Sequence, residues 1–140
     1  MTELKIKCVT LGSPRQRGEG LRIGTVRRLP QRVSKADYAK DDWFDLWFPM
    51  VAPSKELLEW FQDPERVQSA KDYKTFLAKY ERELLKDSER RQALILLAEM
   101  AKKTPISIGC YCEDEKFCYR STLLKLIKKA GTKTFQHARK

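Results

Sequence analysis

Apolar and polar side chains alternate along Leu4-Lys5-Ile6-Lys7-Cys8-Val9-Thr10-Leu11, the two-residue period of a strand with one face buried. Gly12-Ser13-Pro14 ends that run, and a loop fills residues 12–20. Residues 22–29 form a second strand candidate stopped by Pro30, and a short helical piece starts near Ser34. The segment 43–48, Trp-Phe-Asp-Leu-Trp-Phe, is a third strand candidate. Pro49 and Pro53 then bound an irregular turn into a helix capped by Ser54.

Beyond Ser54 the period becomes that of helices. Leu57, Leu58 and Phe61 give the first helix an apolar face. Tyr73, Phe76, Leu77, Tyr80 and Leu84 recur at helical spacing over 72–85. A third helix over 88–102 carries Ala93, Leu94, Leu97, Ala98 and Ala101 along one side, and its Leu94-Ile95-Leu96-Leu97 run predicts that it lies deep against a sheet. Residues 105–110 are a short buried strand, and 119–130 an amphipathic helix closed by Gly131. Residues 132–140 are an edge strand or a frayed tail. No repeat, low-complexity stretch or long linker divides the chain. The pattern predicts a single compact α/β domain over 1–140, a small, mostly parallel or mixed sheet packed with about four to five helices.

Three of the four cysteines, Cys110, Cys112 and Cys118, fall between the last strand and the last helix. In open α/β sheets ligands bind beyond the carboxyl ends of strands, and helix N-termini attract anions and activate thiols. Cys118 and Arg120 are therefore expected to face any occupant.

The 140 residues and 16.4 kDa suffice for one domain core, and 41% hydrophobic with 10% aromatic residues argues against disorder. With 34% charged residues and a mean hydropathy of −0.60, the exterior is heavily solvated. No apolar run approaches a bilayer crossing, and Met1-Thr2-Glu3-Leu4-Lys5 lacks the apolar stretch of a secretory signal, so the expectation is a cytoplasmic protein without membrane partners. There, cysteines serve more often as free thiols, metal ligands or redox groups than as permanent staples. Asn is absent from the chain while Lys and Glu are abundant, a composition that hints at a thermophile. The net charge of +10 is segregated: residues 12–40 carry eight Lys or Arg against two acids, 41–65 seven acids against one Lys, and 121–140 six basic residues and no acid. A solvated basic exterior, a nucleic-acid surface and a site for small anions all fit that distribution.

The chain resembles the domain of unknown function 488 family, in its YeaO-like branch. The resemblance spans nearly the whole sequence. It rests on the Arg28 region, on the Trp-Phe-Pro-x-x-Ala-Pro-Ser stretch from Trp47 to Ser54, on Lys55-Glu56-Leu57-Leu58-Glu59-Trp60-Phe61, and on Phe76, Tyr80, Glu83 and Leu84. The family pattern Leu-Leu-Cys-x-Glu, an acidic loop, then Cys-His-Arg aligns onto Cys110, Cys118, Tyr119 and Arg120. Cys112 stands where the family often has Glu, and Tyr119 where it often has His, which removes an imidazole from beside the second cysteine. The resemblance implies a compact α/β fold and assigns no activity.

The cysteines have four readings. Three thiolates on one side of a loop would hold a metal, but a fourth ligand must come from Cys8 or His137, and Cys-x-Cys-x5-Cys is no standard zinc spacing, so no metal is assigned. A reversible Cys112–Cys118 or Cys110–Cys118 disulfide fits the short separation. Cys118, entering a helix beside Arg120, has two reasons to be a nucleophile, opposed by the acidic Glu113-Asp114-Glu115 and by the absence of a Cys-x5-Arg signature. Buried, inert thiols are the fourth reading and the leading one.

Arg28 and Arg32 flank Pro30 and would clamp a phosphate or carboxylate near the cysteine loop, or serve as surface charge. Trp43, Trp47, Phe48 and Trp60 would stack bases or, more ordinarily, fill the core. Asp41-Asp42 lacks a cation-loop spacing, and no Gly-rich phosphate loop is present, so no cofactor is assigned. The expected function is binding of an anionic small molecule or nucleic acid near the strand–loop–helix, with Arg28, Arg32, Cys110, Cys112 and Tyr119 as contacts. The alternative is a cysteine-dependent enzyme acting on an anionic small molecule or a nucleobase, with Cys118 as nucleophile and Arg120 positioning the anion.

Overall fold

The computed structural model describes residues 3–30, 33–63, 69–111 and 118–136. Four strands, β1 (Ile6–Thr10), β2 (Leu21–Gly24), β3 (Leu46–Trp47) and β4 (Ile106–Cys110), form one sheet in the order β1-β4-β2-β3, and every pairing is parallel. The described residues also form five helices, α1 (Lys55–Phe61), α2 (Ala70–Lys86) and α3 (Ser88–Lys103) ahead of β4, then α4 (Arg120–Ala130) and the short α5 (Lys133–Gln136). The protein is thus an α/β domain, as the periodicities predict. Among the described residues no helix is long and apolar enough to cross a membrane.

The two faces of the sheet are covered differently. Alternation along β4 puts Ile106, Ile108 and Cys110 on one face, where Ile23 of the neighbouring strand joins them. α4 packs against β1 and β4, and α3 and α2 pack in turn on α4. The other face carries Arg22, Gly24, Ser107 and Gly109, and loops cover it instead of helices. Phe44 lies against Gly24 and Leu11 against Gly109, closer than any side chain at those positions would permit. All five residues of β4 are therefore buried, as expected of an interior parallel strand.

Four sequence expectations are corrected. The second strand stops at Gly24 instead of 29, because the backbone and hydroxyl of Thr25 both donate to the Gly109 carbonyl and Arg27 is drawn to the carbonyls of Pro49 and Pro53. The third shrinks from 43–48 to Leu46–Trp47, since the amides of Trp43 and Phe44 close a turn on the Tyr38 carbonyl. α3 has α2, α4 and the 3-10 turn Pro49–Val51 as its principal neighbours, and Leu96 is 55% exposed, so its apolar run reflects helix contacts on several sides. Of residues 132–140, expected as an edge strand or frayed tail, 133–136 make the helical turn α5, with the Thr132 hydroxyl accepting from the Phe135 amide, and 137–140 lie outside the described residues.

Candidate functional site

The carboxyl ends of β2 and β4 face helices α1 and α2 across a cleft of about 230 Å³. Val26, Arg27 and Arg28 enter it from the segment after β2, Cys110 and Tyr111 from the end of β4, and Tyr119 from just ahead of α4. Leu58, Phe61 and Gln62 close it from α1, and Phe76 from α2. Apolar side chains at helical spacing bring Leu58 and Phe61 to the same side of α1, and the Ser54 hydroxyl accepts from the Leu57 amide to start that helix. Phe61 stacks on Phe76 with ring centroids 4.6 Å apart, which fixes the far wall.

Hydrogen bonds to backbone set the near wall. The buried Tyr119 hydroxyl donates to the Thr25 carbonyl at 2.6 Å, while its ring meets Tyr80 edge-on. Tyr111 donates to the Arg28 carbonyl at 2.7 Å, tying the end of β4 to the segment after β2. Partial burial, with Tyr38 nearby adding to it, pushes the Tyr111 phenol up to about 12, so it stays a donor through the neutral range. The two arginines differ. The Arg27 guanidinium is committed to the Pro49, Ala52 and Pro53 carbonyls, whereas Arg28 is exposed at the cleft.

The cysteines lie at the floor. Cys110 and Cys118, each about 1% exposed, meet through their sulfurs as a disulfide pair. Their Cα atoms stand 7.8 Å apart, a wider span than settled bridges usually have. Arg120, itself 2% exposed, turns inward: one guanidinium nitrogen donates to the Val9 carbonyl at 3.0 Å, reaches the Thr10 hydroxyl at 3.1 Å and lies 3.7 Å from the Cys110 sulfur. The Cys8 thiol donates to the Arg120 carbonyl.

Of the residues singled out in the sequence, the fold gathers Arg28, Cys110 and Tyr119 on one cleft. Cys118 and Arg120 lie beneath it and do not line it. Arg32, Cys112 and His137 lie outside the described residues. Of the aromatics, Trp47 is 41% exposed on the sheet edge, away from the cleft. Sequence reasoning passed over Leu58, Phe61 and Phe76 because apolar residues at helical spacing read as core, and Gln62 because it follows the end of α1. Among the described residues no group of three or more His, Cys, Asp or Glu gathers as for a metal ion.

A family model described as DUF488-N3a, the active DUF488-N3 subclade, matches residues 6–131. No curated protein and no solved structure gives a significant match to the chain.

Proposed function

We propose that this chain, which belongs to the DUF488-N3a family, binds a small molecule with an aromatic or apolar body and one anionic group, in the cleft beyond the carboxyl ends of β2 and β4. The observation that carries this reading is the meeting of aromatic walls, Phe61, Phe76, Tyr111 and Tyr119, with the exposed cation of Arg28. Ligands of open parallel sheets gather at that edge because strand ends and helix starts converge there. The cleft, at about 230 Å³, lies below the roughly 300 Å³ at which drug-sized pockets begin, so a single ring with one charged substituent fits better than a length of nucleic acid. A net charge of +10 steers any anion toward the protein.

The reading is tested by titrating phenyl phosphate, phenol and inorganic phosphate into the protein and following the unfolding midpoint. Phenyl phosphate is expected to stabilise more than either of its parts. Arg28→Ala is expected to weaken it about tenfold or more, the ~1.5–3 kcal/mol of a hydrogen bond to a charged group. Equal stabilisation by phenol and phenyl phosphate, or an unchanged affinity in Arg28→Ala, contradicts the reading.

A second reading, cysteine-dependent chemistry on the same kind of molecule, draws on Cys110 lining the cleft and on the description of the family as active. In the sequence-based form Cys118 attacks and Arg120 positions the anion. Cys110 lines the cleft and Cys118 does not, which favours another division of roles, developed next.

A further inference from the structure

Two nucleophilic groups remain unused by ligand binding. Cys110 lines the cleft, and Cys118 stands directly behind it with its sulfur against that of Cys110. A guanidinium held by the Val9 carbonyl and the Thr10 hydroxyl touches the Cys110 sulfur. A negatively charged sulfur is thus supported on the cysteine that lines the cleft, with its partner placed to receive it.

We propose that Cys110, Cys118 and Arg120 form a dithiol site that reduces small organic hydroperoxides, with Cys110 as the attacking and Cys118 as the resolving cysteine. The Cys110 thiolate attacks the terminal oxygen of the hydroperoxide. A sulfur–oxygen bond forms, the oxygen–oxygen bond breaks, and the departing alkoxide takes up a proton from solvent and leaves as the alcohol. Cys110 is then a sulfenic acid. The Cys118 sulfur attacks it, the sulfur–sulfur bond forms, and the hydroxyl departs as water with the thiol proton. Two electrons pass from the pair to the hydroperoxide. A low-molecular-weight thiol restores the dithiol by two exchange steps and is itself oxidised to its disulfide. Arg120 holds the charge on the Cys110 sulfur before attack, and the aromatic walls favour an apolar hydroperoxide over hydrogen peroxide. The inference rests on the cleft admitting small molecules, as in the binding reading, and not on Arg28 holding an anion.

The test uses full-length reduced protein with one equivalent of cumene hydroperoxide or hydrogen peroxide. Peptide mapping is expected to find Cys110 joined to Cys118, with cumyl alcohol formed one for one. The Cys118→Ser variant is expected to stop at a sulfenic acid on Cys110 that dimedone traps, formed at least about tenfold faster than any product on Cys8. Cys110→Ser is expected to lose hydroperoxide consumption. Linkage of Cys112 to Cys118 in the unmutated protein, dimedone on Cys8 or Cys112 with Cys110 intact, or full consumption by Cys110→Ser overturns the proposal. The mapping needs no substitution, so a variant that fails to fold does not decide the matter. Phenyl phosphate binding without hydroperoxide reduction defeats this inference alone, while reduction without such binding defeats only the anion reading.

Discussion

Arg22 brings a guanidinium to a position with no exposed surface, and its surroundings supply the partners that such a group needs. Glu19 accepts from two of its guanidinium nitrogens, and the carbonyls of Ser13 and Asp42 accept from a third. Ser107 of β4 donates to the same carboxylate. The hydrogen bonds from Arg22 hold the Glu19 carboxyl below its ordinary 4.5, against burial, which pushes the other way; the Gln16 amide and Ser107 assist. A depressed carboxyl contributes stability that is present above the unfolded value of 4.5 and is lost as pH falls through the folded one. Acid unfolding followed by circular dichroism is therefore expected to show a steep fall in stability below about pH 4.5. Glu19→Gln is expected to cost about 3 kcal/mol or more at pH 7, because it strands a buried guanidinium, and to flatten that fall. An unaltered acid limb in the variant would refute this role. Nothing in the sequence marked this pair, since Glu19 sits in a stretch read as an ordinary loop and burial of Arg22 comes only from the loops folding over the sheet.

Helix periodicity carried the elements well, and strand ends carried them poorly. Ser54 was legible as an N-cap because a hydroxyl ahead of an apolar helical run has few other uses, and its hydroxyl does accept from Leu57 while also donating to Glu83. α2, α3 and α4 begin and end within about two residues of their predicted limits, as a buried stripe at helical spacing fixes them. The end of β2 depends on hydrogen bonds to the remote Gly109 carbonyl, and the start of β3 on a turn closed on the Tyr38 carbonyl, and neither shows in the apolar pattern. The loop before β2 supplies a direct check. Gly18 and Gly20 both have positive φ, 88° and 70°, but a Cβ at Gly20 would run into the Pro105 carbonyl, whereas at Gly18 it would meet only the end of Lys7. Gly18→Ala is expected to cost about 1 kcal/mol by denaturant unfolding, the price of left-handed backbone alone, and Gly20→Ala several times that. Equal losses would contradict the close packing of this loop on the start of β4.

At the scale of the whole molecule, the cleft exists because the parallel pairing of β2 with β4 brings their ends side by side and leaves α1 and α2 opposite them. The sequence pointed to the segment around Cys110 through its cysteines and its place between strand and helix, and to Arg28 through the end of the second strand. Sequence alone could not pair them with Phe61 and Phe76, which lie on α1 and α2 with α3 still to come before Cys110, and whose spacing is also that of core. The buried Arg120 is the converse case: its charge suggested a ligand contact, and the fold spends it on Val9, Thr10 and the Cys110 sulfur. We propose above all that small anionic ligands occupy this cleft. Hydrogen exchange measured by mass spectrometry with and without saturating phenyl phosphate tests it most directly. Added protection is expected in segments holding Val26 to Arg28, Leu58 to Gln62 and Cys110 to Tyr111. Protection confined to the exposed sheet edge around Leu46 and Trp47, or to α5, would contradict it.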